Sequence, residues 1–135
     1  MSGERVFHDP QVNLYARDVE TSVRFYRELL GFAETFRTPA TGRPVHVEMR
    51  LGGLVLGVAD IESLRRDHGV EVAFGGPRAE VVVWTDDVDT AYARLLTHGA
   101  PSLSPPHDFL EGRLRAAWVA DPEGGPVQLV QERAR

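Results

Sequence analysis

The chain has 135 residues, 42% of them hydrophobic and 26% charged, with a net charge of −5, the make-up of a soluble, core-forming α+β protein rather than a disordered or fibrous one. It contains no cysteine and no lysine, which excludes disulfides, thiolate metal sites, a cysteine nucleophile and Schiff-base chemistry. Fifteen arginines are scattered among twenty carboxylates without a basic stripe, so nucleic acid is not an expected partner.

Read in chain order, residues 11–16 alternate as a strand should, and Asp18 stands where a helix N-cap is needed. Val19, Ser22, Val23, Tyr26, Leu29 and Leu30 then recur at helical spacing, and Gly31 suits the left-handed position that closes a helix. Three short strands are predicted next, at Ala33–Arg37, Val45–Leu51 and Leu54–Ala59, with turns over residues 39–44 and at Gly52 and Gly53. Residues 60–78 read as a linker with a short helix over Ile61–His68 and a break at Gly75, Gly76 and Pro77.

From Glu80 the pattern starts again. EVVVWTDDVDTAYARLLTHG (80–99) aligns with QVNLYARDVETSVRFYRELLG (11–31) on Asp87 and Asp18, sharing D-V-(E/D)-T and a closing glycine, Gly99 and Gly31. Val88, Ala91, Tyr92, Leu95 and Leu96 repeat the helical face. A weak strand near Pro101–Ser104 follows, then Leu114–Ala120 and Pro126–Gln131 joined by the turn Asp-Pro-Glu-Gly-Gly (121–125). The prediction is one domain over 1–135 made of two βαβββ modules, 9–59 and 79–132. No stretch approaches the roughly 20 apolar residues of a membrane span, and residues 1–10 carry no signal-like apolar run; a cytoplasmic protein is expected.

The strand–Asp–helix unit ending in Arg-Phe-Tyr-Arg-Glu-Leu-Leu-Gly (24–31), its recurrence from Glu80 and the Asp-Pro-Glu-Gly turn resemble the vicinal oxygen chelate superfamily. That superfamily includes glyoxalase I, extradiol dioxygenases, fosfomycin-resistance enzymes and bleomycin-resistance proteins. The resemblance implies a cup-shaped mixed β-sheet with helices on its outer face and, commonly, a homodimer. It also implies one divalent metal held by four inward residues, whose positions here are Gln11, Gly57, Glu80 and Gln128. One carboxylate, two neutral amides and a glycine make a poor set, because iron sites use two histidines and a carboxylate, and zinc or nickel sites use imidazoles and carboxylates. The expectation is therefore no metal and no cofactor.

Strand alternation assigns the remaining face. Val12, Leu14, Ala16, Val45, Val47, Met49, Leu51, Val81, Val83, Val127 and Leu129 are expected to pack. That leaves Gln11, Asn13, Tyr15, His46, Glu48, Arg50, Glu80, Trp84, Trp118 and Gln128 as candidate ligand-binding residues. Aromatic walls with a few polar anchors suit a flat organic ligand, particularly a cationic one. Plainer readings stand beside this one: Trp84 and Trp118 as core filling, His46, Glu48 and Arg50 as the solvated face of an edge strand, Phe25 and Tyr26 as helix packing. His8, His68, His98 and His107 read as surface or loop residues, and residues 108–112 as an exposed loop whose Phe109 and Leu110 could close over a site. Ser102 and Ser104 lack a Gly-x-Ser-x-Gly elbow. The leading functional expectation is a metal-free protein of the bleomycin-resistance type that sequesters an aromatic or cationic antibiotic. The alternatives are a lyase, isomerase or dioxygenase-like enzyme on a degenerate metal set such as Glu80, Gln11 and Glu48, and metal-free acid–base chemistry by Glu48 or Glu80 with His46.

Overall fold

The computed structural model describes residues 9–70 and 79–133; His8 and the break at Gly75, Gly76 and Pro77 lie outside them. The first module runs β1 (Val12–Ala16), α1 (Val19–Arg24), β2 (Ala33–Thr38), β3 (His46–Leu51), β4 (Leu54–Asp60) and α2 (Ile61–His68). The second runs β5 (Val81–Trp84), α3 (Val88–Thr97), β6 (Ser102–Phe109), β7 (Leu114–Ala120) and β8 (Pro126–Glu132). The sheet orders are β1-β4-β3-β2 and β5-β8-β7-β6, and in each the first pair is parallel and the other two antiparallel. Two tandem βαβββ modules with the same topology result, in two compact units, Met1–Val72 and Ala73–Arg135. Among the described residues no helix is long and apolar enough to cross a membrane.

The local signals act as their chemistry requires. The Asp18 carboxylate accepts from the Thr21 amide at 3.2 Å, and Asp87 does the same for Thr90, so both helices start on a capped N-terminus. Gly31 and Gly99 take φ of +88° and +97° at the two helix exits, where a side chain would be strained. In the 121–125 turn, the buried Asp121 carboxylate accepts from the amides of Glu123 (3.0 Å) and Gly125 (2.7 Å).

Alternation then sorts the strands. Val47, Met49, Leu56 and Val58 are buried beneath α1, whose Val19, Ser22 and Val23 face them. Ala117, Val119, Val127 and Leu129 are buried beneath α3, through Val88 and Leu95. A parallel pair needs a crossover between its strands, and covering one sheet face with that crossover leaves the opposite face for polar residues.

Several expectations need correction. Val12 and Leu51 do not pack: Val12 opens an edge strand, and Leu51 sits at the Gly52–Gly53 hairpin, beyond the cover of the helix. Val45 precedes β3 and is half-buried. After Arg24 the helix widens into a π-turn over Phe25–Leu29, which buries Phe25 and Tyr26 edge-on against each other, with Tyr26 edge-on to Phe32. The wider turn breaks the 3.6-residue stripe, so Leu29 and Leu30 are only half-buried. The last correction is β6, which runs through Pro105 and Pro106 to Phe109; residues 110–112 form a tight hairpin with positive φ rather than a closing loop.

Met49 and Leu51 share a strand and a nominal face, which makes them a direct test. Met49→Ala should cost about 2–5 kcal/mol in urea unfolding, whereas Leu51→Ala should stay within about 1 kcal/mol; equal losses would contradict the burial described.

Candidate functional site

The open face of the first sheet is built around a strand position with no side chain. Gly57 on β4 pairs with Asn13 on β1 and with Glu48 on β3. A Cβ at Gly57 would overlap Asn13 Oδ1 and approach His46 Cε1 to 3.1 Å, so the two side chains close over the bare backbone. The Gln11 amide donates to Asn13 Oδ1 at 3.0 Å and to Glu48 Oε2 at 3.2 Å, and His46 Nε2 meets the same Glu48 oxygen at 3.1 Å. Gln11, Asn13, His46 and Glu48 thus form one network. Arg50 and Tyr15 share its face but stand outside these bonds, and Phe36, whose ring centre is 6.5 Å from that of His46, flanks it. β3 lies between β4 and β2, so the row His46, Glu48, Arg50 is not on an edge strand; His46 and Glu48 keep 22% and 29% of their side-chain surface.

His46, and then Gln11, hold the Glu48 carboxyl below its ordinary pKa, against a smaller opposing effect of burial. Because the folded value is lowered, the bond's contribution to stability is present above the ordinary glutamate pKa and is lost as pH falls through the lowered one.

The second sheet presents a different open face. Val82, Gln128, Trp118 and Ser104 lie in one cross-strand row over β5, β8, β7 and β6, and Trp84, Val130, Ala116 and His107 in the next. Trp118 reaches across β8 to donate its indole N–H to Glu80 at 2.9 Å, and His107 stacks on its ring, 16° from parallel with centres 6.0 Å apart. Trp84 is 65% exposed and borders a hollow of about 400 Å³ shared with Thr85, Asp86 and Glu132. Neither indole is core filling. Arg115 works on the helix side, bonding both Asp89 oxygens on α3 (2.8 and 2.9 Å) and Asp108 on β6 (3.0 Å).

The residues at the implied metal positions do not fit a metal. Gly57 supplies no donor, and Asn13 fills the space a ligand side chain would need. The Gln11 amide N–H is turned to Glu48, and Glu80 is bonded by Trp118. Among the described residues no three histidine, aspartate or glutamate side chains are grouped as a metal site.

His107, read as a surface or loop residue, is exposed, but it lies on β6 and stacks on Trp118 in the aromatic face of the second module. The two prolines before it hid the strand that carries it, although the spacing of Ser104, His107 and Phe109 about Trp118 is a usable signal once β6 is seen. A carboxyl-carbon NMR titration should place Glu48 below an ordinary glutamate, and His46→Ala should move that midpoint upward. An unmoved midpoint would remove His46 as the cause.

No curated relative matches the chain. Among solved structures it is similar to TioX from Micromonospora sp. ML1, at 28% identity over 93% of this chain and 100% of that one, with a TM-score of 0.74. It is also similar to a glyoxalase/bleomycin resistance protein/dioxygenase from Nocardioides, at 26% identity over 95% and 86% of the two chains, TM-score 0.70. A lactoylglutathione lyase from Agrobacterium tumefaciens, 23% identical over 91% and 92% with a TM-score of 0.69, shares the fold. The model of the Glyoxalase/Bleomycin resistance protein/Dioxygenase superfamily matches residues 10–129, and the chain belongs to that superfamily.

Proposed function

We propose that the protein is a metal-free binding protein that sequesters an aromatic, cationic small molecule, of the kind bleomycin-resistance proteins capture. One observation carries the reading: both indoles stand against carboxylates, Trp118 bonded to Glu80 and Trp84 sharing its hollow with Asp86 and Glu132. An aromatic wall beside negative charge favours a flat cation through stacking, cation–π attraction and direct ion pairing. The donor set at the implied metal positions supports capture over turnover, since Gly57 brings no ligand atom and Glu80 is already engaged.

Titration with planar cationic antibiotics should quench tryptophan fluorescence to a 1:1 end point, and Trp118→Ala should weaken binding about tenfold or more. Protein purified without chelator should hold no stoichiometric metal; a full equivalent of metal, with no quenching across the panel, would favour a metal-dependent lyase or isomerase instead.

The reading includes a homodimer. Val12, Val82 and Trp84 are exposed on the edge strands β1 and β5, and apolar groups beside unpaired strand edges favour burial against a second copy. Light scattering on the eluting protein should give twice the chain mass, and Val82→Lys should shift it toward the monomer. A wild-type monomer at micromolar concentration would rule the dimer out.

A further inference from the structure

His107 gives the aromatic face of the second module a charge that can be switched. Its Nδ1 lies 2.8 Å from the Pro105 carbonyl. A carbonyl can only accept, so Nδ1 carries a hydrogen in either charge state of the ring, and the proton that charges the ring enters at Nε2. The side chain is exposed, and among the described residues nothing bonds Nε2. Protonation therefore breaks no bond, and the ring keeps its place whether neutral or charged.

That place is beside an indole. The imidazole plane is 16° from that of Trp118 with centres 6.0 Å apart, and the Phe109 ring centre is 6.4 Å away. Rings that overlap fully stack about 3.5–4 Å apart, so these two are slid past each other, and the imidazole leaves part of the Trp118 face uncovered. The indole is held in turn by its bond to Glu80. A cation within about 6 Å of an indole centre is attracted by the electrons of the ring, and a charged His107 meets that distance. The other charges near this face are committed or stand apart. Asp108, next along β6, bonds Arg115 on β7 and pairs with Arg133, and Glu80, just before β5, bonds the indole N–H. Glu132 on β8 is level with Leu114 rather than with Trp118, and α3 with its charges lies under the opposite face.

We propose that His107 sets the charge preference of this aromatic face: beside a neutral imidazole Trp118 takes a flat cation, and beside a charged one it is already occupied by a cation of the chain's own and releases the ligand. The device rests on the capture of a flat cation proposed above and adds the condition under which the cation is held. Two effects act in the same direction, competition for the indole and repulsion between like charges at close range. Binding belongs to the neutral ring and is lost as pH falls through the His107 titration. Histidine changes charge between about pH 5 and 8, so a cation captured at neutral pH is set free in mild acid, while a flat anion is not.

The test titrates the full-length chain with methylene blue, a flat cation whose charge is constant over this range, and with anthracene-2-sulfonate as the flat anion. Read by tryptophan quenching, methylene blue should bind about tenfold more weakly at about pH 5 than at about pH 8, and the sulfonate should lose no affinity. His107→Phe keeps an aromatic ring beside Trp118 without a titrating proton, and should hold methylene blue equally at both. Because the coupling is reciprocal, bound methylene blue should move the NMR titration midpoint of the His107 Cε1–H to lower pH in the wild-type chain. Equal methylene blue affinity at the two pH values, an equal acid loss in folded His107→Phe, or an unmoved midpoint with dye bound would overturn the proposal and leave capture of a flat cation standing. No quenching by methylene blue at either pH would overturn both. Should His107→Phe not fold, the midpoint shift in the wild-type chain decides alone.

Discussion

At Gly57 the β4 backbone lies bare between two strands whose side chains lean over it. Asn13 Oδ1 occupies the place of a Cβ, and His46 closes from the other side. That one missing side chain sets the spacing of the open face of the first sheet, because Gln11, Asn13, Glu48 and His46 share bonds only if nothing stands among them. A polar network of this kind is most stable when all its members are satisfied, and here the carboxylate accepts from two of its neighbours. The superfamily resemblance implies a metal ligand at this same position, and in this chain the network takes that room.

The modules repeat in topology and diverge in chemistry. In the first, the open face is a hydrogen-bonded polar cluster; in the second, it is an indole stacked on an imidazole and tethered to a carboxylate. Their helix sides are tied by ion pairs of different wiring: Arg37 on β2 joins Glu20 and Glu34 in the first, and Arg115 on β7 joins Asp89 and Asp108 in the second. Repetition therefore conserves what the backbone requires, caps, turns and the buried strand faces, and leaves the solvent-facing positions to specialise.

What could be read in advance follows the same division. Asp18, Asp87, Gly31, Gly99 and the 121–125 turn act through their immediate neighbours, so their local pattern is sufficient. The buried alternation of Val47 and Met49 was equally readable; it failed at Leu51 and Val12, where strand ends run out of cover, and held only in part at Leu14, Val45 and Val83, which are half-buried. The π-turn after Arg24 changes no residue type, so nothing in the spacing announces it. Of the site, the absence of a ligand at Gly57 was legible; the convergence of Asn13 and His46 on it was not, because it depends on the register of three strands far apart in the chain. Ile61–His68 reads as a short helix, but only the fold shows that one of its faces lines a cleft.

The two prolines inside β6 have a further effect on how the second module meets its surroundings. Proline nitrogen carries no hydrogen, and the outermost strand of a sheet is where its presence does least damage to the ladder. β6 is that strand: β7 is its only neighbour within its sheet, and the register between them slips on either side of Ser104. An incoming chain would find this margin kinked and short of donors, and so a poor template for runaway strand addition. At the opposite margin β5 has an unbroken VVVW sequence with no proline. The sheet is thus polarised, with one rim blunted against strand addition by its prolines and the other free of any such break.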